Sequence, residues 1–128
     1  MPNYWYHHLH IVSPEPAKTV QFYEKMFGAK VISTAELPSG RTSTTLDLDG
    51  WRFSIITPQT PPAPAPSEPG YGMDHLGLRT DNLEEAVTHL KANGVQFTRE
   101  ITEIRPGVKV AFMLGPENVI IELLETGD

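Results

Sequence analysis

Two histidines and one glutamate carry the chemistry this sequence offers. His8 and His75 open short apolar runs, His8-Leu-His-Ile-Val-Ser and His75-Leu-Gly-Leu-Arg-Thr, and Glu122 interrupts Val119-Ile-Ile-Glu-Leu-Leu. A carboxylate among aliphatic neighbours is costly to desolvate unless it is paired or bound to a cation. The 128 residues include no cysteine, so any metal would be held by nitrogen and oxygen alone. Two neutral imidazoles and a carboxylate suit Fe(II), Mn(II), Ni(II), Co(II) or Zn(II) and leave positions open for water or substrate. Taken singly, each of the three reads as an ordinary strand-end histidine or rim glutamate. Taken together they read as a ligand set.

Residues two apart on a strand share a face, so His10 should accompany His8. With an ordinary pKa near neutrality, His10 suits a general acid/base or an additional ligand, and the competing reading is a packed, hydrogen-bonded histidine. His7 is expected on the opposite side, and His89 on a helix. Arg52 shares the strand face of Ser54, where it would meet an anionic substrate, solvent or an internal ion pair. Tyr4, Trp5, Tyr6 and Tyr71 shape either a pocket mouth or a dimer seam. Glu84 and Glu85 diverge on a helix and mark its start, and no phosphate-binding glycine loop is present.

The elements that must position these residues occur twice. After His8, Pro14 and Pro16 mark a helix start, Val20, Tyr23 and Phe27 recur at helical spacing, and Gly28 stops the helix. After His75, Asp81 can cap a helix whose buried stripe is Leu83, Ala86, Val87 and Leu90, ending at Gly94. Three β-rich runs follow each helix: Lys30 to Ala35, Ser43 to Leu48 and Trp51 to Thr57, then Val95 to Glu100, Val108 to Leu114 and Val119 to Leu124. Asp49-Gly50 is a two-residue hairpin signal, and Gly115-Pro116-Glu117-Asn118 is a slightly longer turn at the matching place. Each half therefore reads βαβββ. Pro58 to Gly70, dominated by proline and alanine, reads as an extended linker. A four-stranded module with one helix leaves an apolar sheet face uncovered, so two modules must pair, within the chain or across a homodimer, and pairing makes a cleft.

Bulk properties narrow the partners. The formal charge of -6 without a Lys/Arg cluster excludes a nucleic-acid surface. Apolar stretches of only a few residues and an N-terminus without signal-peptide order point away from the membrane and to a cytoplasmic location. A small-molecule substrate is the remaining partner.

Three segments in order are specific enough to carry a resemblance. They are His8 fourteen residues before Phe22-Tyr23, Gly72-Met-Asp-His75-Leu-Gly-Leu with the helix after Asp81-Asn-Leu, and Phe112-Met-Leu-Gly-Pro-Glu-Asn-Val-Ile-Ile-Glu122-Leu. Over nearly the whole chain this pattern resembles the vicinal oxygen chelate superfamily, which includes glyoxalase I, methylmalonyl-CoA epimerase, extradiol dioxygenases, fosfomycin-resistance enzymes and bleomycin-resistance proteins. The resemblance implies an α+β fold, two βαβββ modules whose paired, partly closed mixed sheets surround a metal cleft. The expected organisation is one domain over 1–128, with modules at about 5–58 and 71–125. His8, His75 and Glu122 fall at metal-ligand positions, with Glu122 also available as a base.

The departures from the family pattern shape the expected reaction. The fourth ligand of glyoxalases and epimerases falls at Ser54, the extra carboxylate of the epimerase near Ser39, and the tyrosine of the dioxygenases and fosfomycin enzymes at Phe112. Three ligands incline the expectation to oxygenase or lyase chemistry on a substrate chelated through two neighbouring oxygens. The alternatives are glyoxalase- or epimerase-type proton transfer and, from another class, metal-free binding of a drug or metabolite.

Overall fold

The computed structural model describes residues 2–37, 40–58 and 71–127. The chain divides into two compact units, Met1–Ala63 and Pro64–Asp128. The first holds β1 (Leu9–Val12), α1 (Pro16–Phe27), β2 (Lys30–Glu36), β3 (Thr42–Leu48) and β4 (Trp51–Ile56). The second holds β5 (Leu76–Arg79), α2 (Leu83–Ala92), β6 (Phe97–Arg105), β7 (Val108–Leu114) and β8 (Ile120–Glu125), with a 3₁₀ turn at Pro116–Asn118 before β8. The expected βαβββ order is present twice. Each unit contains an open four-stranded sheet, in the order β1-β4-β3-β2 or β5-β8-β7-β6. First and last strands pair in parallel and the other pairs are antiparallel, so both sheets are mixed and the fold is α+β.

Helix α1 begins with Pro16 in its first turn, where a missing N–H costs nothing, but Glu15 gives no side-chain cap. Ser13 takes part of that role. Its Oγ accepts from the Glu15 N–H at 3.1 Å and bonds the Thr19 hydroxyl at 2.8 Å, with Ser13 and Thr19 both buried. Gly28 ends the helix in the left-handed conformation, φ 71°, and its N–H meets the Glu24 carbonyl at 3.0 Å. Tyr23 anchors the buried face, and its ring meets Phe53 edge-on with centroids 5.0 Å apart. Leu46 and Ile55 are buried in the same unit. Thr19, not Val20, is the other buried residue of the helix, because the serine–threonine pair draws that turn inward.

In α2 the cap is Asn82 rather than Asp81. Its side chain accepts from the Glu85 N–H at 3.0 Å, and only residue 82 has the three-residue offset that this bond requires. Glu125 at the end of β8 accepts from the Leu83 N–H at 2.8 Å and satisfies a second first-turn donor. Leu83, Val87 and Leu90 form the buried stripe, each stabilising by about 1.5–3 kcal/mol relative to an exposed position, while Ala86 is only half-buried.

The turns set the registers. Leu48 pairs directly with Trp51, so Asp49 and Gly50 are the whole loop, with φ of 54° and 83°. Positive φ at both positions is what a tight hairpin with native twist demands. Strand β6 runs to Arg105, past the expected end near Glu100, because Pro106-Gly107 makes a second two-residue turn in which Arg105 pairs with Val108. Val95 lies outside β6, its N–H still closing the end of α2 on the Leu90 carbonyl at 3.0 Å. Other strand ends differ from expectation by at most one residue. Ser39 and residues 59–70 of the expected linker lie outside the described residues. Among the described residues, no helix is long and apolar enough to cross a membrane.

Candidate metal centre

In the second unit two of the expected ligands face one another. His75 stands immediately before β5, and Glu122 lies on β8, the parallel neighbour of β5. Nδ1 of His75 is 2.7 Å from Asp74 Oδ2, so Nδ1–H donates to that carboxylate and the ring is held with Nε2 towards Glu122. Nε2 is 3.6 Å from Glu122 Oε1. Two donors each about 2.0–2.2 Å from a common cation cannot stand more than about 4.4 Å apart, so this spacing fits a shared ion. The side chains of His75 and Glu122 keep 32% and 21% of their surface exposed, which leaves them reachable. The residues present fit a divalent metal: a tautomer-fixed imidazole beside a carboxylate with an oxygen directed at it.

Register explains how the carboxylate escapes the core. Ile121 and Leu123 are buried, and the alternation of the strand puts Glu122 on the opposite face. Its direct neighbours across the sheet are Gly77 on β5 and Phe112 on β7, neither of which offers a side-chain hydrogen bond. A Cβ on Gly77 would lie 3.7 Å from Glu122 Oε1, ordinary contact. The Phe112 ring meets His75 edge-on with centroids 5.4 Å apart and so buttresses the imidazole. Asp74 was not singled out by sequence reasoning. Its signal is a carboxylate immediately before a candidate ligand histidine, within reach of the ring nitrogen that does not face Glu122.

The first unit repeats this arrangement with changed residues. His8 stands immediately before β1, and its Nδ1 is 2.6 Å from Nδ1 of His7, one of the two donating. His7 was expected on the opposite side. Strand β1 begins only at Leu9, so strand alternation does not govern residues 7 and 8, and His7 instead occupies the role that Asp74 has beside His75. The His10 ring lies beside that of His8, with centroids 4.7 Å apart. Partial loss of hydration, then the charge of His8, holds the His10 pKa below the ordinary histidine value even though its ring remains exposed. Leu9 pairs with Phe53 as Leu76 pairs with Ile121, so Ser54 is the structural counterpart of Glu122 and Thr45 that of Phe112. Ser54 is 4% exposed and its hydroxyl is spent on Thr45 Oγ1 at 3.0 Å.

Among the described residues, no three His, Asp or Glu side chains already stand together as a cation site; His75 and Glu122 are brought together, and His8 belongs to the other unit. Tyr6 stacks on Trp51 and donates its hydroxyl to the Arg52 carbonyl at 2.6 Å, whereas Tyr4, Trp5 and Tyr71 are exposed. His89 is exposed on α2, and Glu84 and Glu85 lie in its first turn as expected.

Comparison with known proteins agrees with this architecture. The chain is 30% identical over 121 residues to a lactoylglutathione lyase of Escherichia coli O157:H7, covering 87% of this chain and 84% of that protein. It is 26% identical over 124 residues to human mitochondrial methylmalonyl-CoA epimerase, covering 91% and 70%. The crystal structure of the fosfomycin resistance protein FosX of Listeria monocytogenes, complexed with Mn(II) and sulfate, superimposes with a TM-score of 0.73 at 18% identity, covering 97% and 93%, and shows a shared fold. Residues 5–123 match the family description directly, and the chain belongs to the Glyoxalase/Bleomycin resistance protein/Dioxygenase superfamily.

Proposed function

We propose that this protein is a divalent-metal-dependent enzyme acting on a small, oxygen-rich substrate, with His8, His75 and Glu122 as ligands. The observation that carries the reading is the His75–Glu122 pair, with Nε2 3.6 Å from Oε1 and Nδ1 tied to Asp74. A bound cation would supply Lewis acidity, stabilising negative charge that develops on a substrate oxygen. Glu122 could also leave the metal to serve as a base, since its cross-strand neighbours Gly77 and Phe112 offer no competing side-chain hydrogen bond.

Within this frame the lyase branch is the better supported, because the likeness to lactoylglutathione lyases spans most of both chains. The corresponding substrate class is the thiol adduct of an α-oxoaldehyde. The oxygenase branch draws on the replacement of the fourth ligand by Ser54, which has no hydroxyl to spare.

A reconstitution series with Fe(II), Mn(II), Ni(II) and Zn(II) tests the proposal. Each sample is assayed with an α-oxoaldehyde thiol adduct, and with a catechol while oxygen is monitored. Turnover of the adduct is the expected result. Oxygen uptake with Fe(II) and catechol would move the protein to the oxygenase branch. Failure to take up any of the four ions would leave the metal-free binding of a drug or metabolite.

A further inference from the structure

Arg52 presents an exposed guanidinium that no acid neutralises among the described residues. Phe53, its neighbour on β4, is buried against Tyr23 of α1, so strand alternation turns Arg52 to the sheet face away from the helix, where Ser54 and His10 also lie. Of the three expected fates of this side chain, an anionic substrate, solvent or an internal ion pair, the structure removes the last. Asp47 on β3 is its direct cross-strand neighbour, yet that carboxylate accepts from the Gly50 N–H at 3.0 Å and forms no ion pair with it. Lys30, on the other side of Asp47 in the same row, is likewise exposed and unpaired among the described residues. Two cations therefore flank one acid that is already engaged, in a chain whose formal charge is -6.

Position gives a second reason. His8 immediately precedes Leu9 and Arg52 immediately precedes Phe53, and Leu9 and Phe53 are paired in parallel register. The backbones of His8 and Arg52 thus stand roughly one strand spacing apart, about 4.8 Å. The stem of Arg52 is also fixed. Its carbonyl accepts from the Tyr6 hydroxyl at 2.6 Å, and the Tyr6 ring stacks on Trp51 with centroids 6.4 Å apart. A group on a fixed backbone loses less freedom when it binds.

We infer that Arg52 anchors a carboxylate of the substrate beside His8. The inference rests on the reading that a substrate is bound at His8, and it narrows the substrate class to small oxygen-rich compounds, thiol adducts included, that carry a carboxylate apart from their reacting oxygens. The planar fork of a guanidinium matches a carboxylate with two parallel hydrogen bonds, and Arg52 has no side-chain partner among the described residues to compete for them.

The test uses the full chain and reads binding by calorimetry, in metal-free protein and again after metal loading. The probes are (benzylthio)acetate, which carries the carboxylate, and (benzylthio)acetamide, its neutral counterpart. The parent should bind the acetate about tenfold more tightly than the amide, the low end for a hydrogen bond to a charged group, and added salt should narrow the gap. Arg52→Gln should weaken the acetate alone and bring the two affinities within about twofold, whereas Arg52→Lys, which keeps the charge without the fork, should retain about threefold. Arg99→Gln, which removes an exposed guanidinium from β6 in the other unit, should leave the preference intact. Far-ultraviolet circular dichroism confirms that each variant folds. Absence of acetate binding, equal affinity of the parent for both probes, or a preference that survives in Arg52→Gln overturns the inference. Loss of the preference in Arg99→Gln instead assigns the anion to β6 and overturns it as well. The metal proposal fails separately: a chain that takes up no metal yet shows the Arg52-dependent preference refutes that proposal and keeps the carboxylate anchor.

Discussion

Asp74 directs His75: its Oδ2 lies 2.7 Å from Nδ1, and this bond leaves Nε2 as the nitrogen that faces Glu122. Replacing Asp74 with Asn preserves shape but removes the charge that fixes the tautomer and raises the basicity of the ring. Such outer partners are worth about 10–100-fold in metal affinity. Asp74 is 65% exposed, so its effect should fall near the lower end, roughly tenfold. Chelator competition on Asp74→Asn measures it, and an unchanged affinity would mean that Phe112 alone orients the imidazole.

Tyr23 presents the opposite situation, a polar group with nothing to do. Its ring is fully buried against Phe53, and its hydroxyl has no hydrogen-bond partner among the described residues. Burial pushes its pKa up to about 12. A buried hydroxyl left unsatisfied costs about 1–3 kcal/mol, so Tyr23→Phe should stabilise the protein, by about 1 kcal/mol after packing adjustments. Urea denaturation reads the change directly. A loss of stability would reveal that an ordered water satisfies the hydroxyl.

Glu125 links the second helix to acid stability. The Leu83 N–H that it accepts, with help from Lys109 at 3.5 Å, holds its pKa below the ordinary value of 4.5. A carboxylate whose pKa is lowered by folding stabilises the native state fully above its unfolded pKa, and the contribution fades as the pH falls through the folded value. Melting temperatures of the parent and of Glu125→Gln should therefore differ at pH 7, with the parent higher, and converge as the pH falls through the lowered folded value. Parallel curves across that range would show that the carboxylate charge is not what holds the helix start.

The legible part of the molecule was that dictated by short-range stereochemistry. The Gly28 stop, the Asp49-Gly50 hairpin and the alternation around Glu122 each follow from a few consecutive residues, and together they yielded the doubled βαβββ order. What escaped the sequence depended on partners distant along the chain or on where a strand begins. Ser13 and Thr19 close the start of α1 in place of a cap at Glu15, and Glu125 reaches 42 residues to Leu83. Of the expected set His8, His75 and Glu122, the last two stand beside one another, but the roles of Asp74 and His7 were not expected, because a residue just outside a strand is not bound by its alternation.

The hairpin glycine offers a clean backbone test. A methyl group on Gly50 would meet nothing within 4 Å, so only φ of 83° opposes it. Gly50→Ala should cost about 1–2 kcal/mol, the usual penalty of the left-handed region for an L-residue. Gly77→Ala, at a position with no such φ, should leave denaturant stability nearly unchanged. Equal losses in the two variants would place the cost in the sheet rather than in the turn.

The neighbours of Glu122 along β8 act as a proofreader of the reactive face. Were β8 to slide by a single residue against β5, the carboxylate would turn towards α2, and Ile121 and Leu123 would be thrust into water. Such a slipped chain would be both unarmed and unstable, so selection for a well-packed interior also keeps the carboxylate aimed at His75.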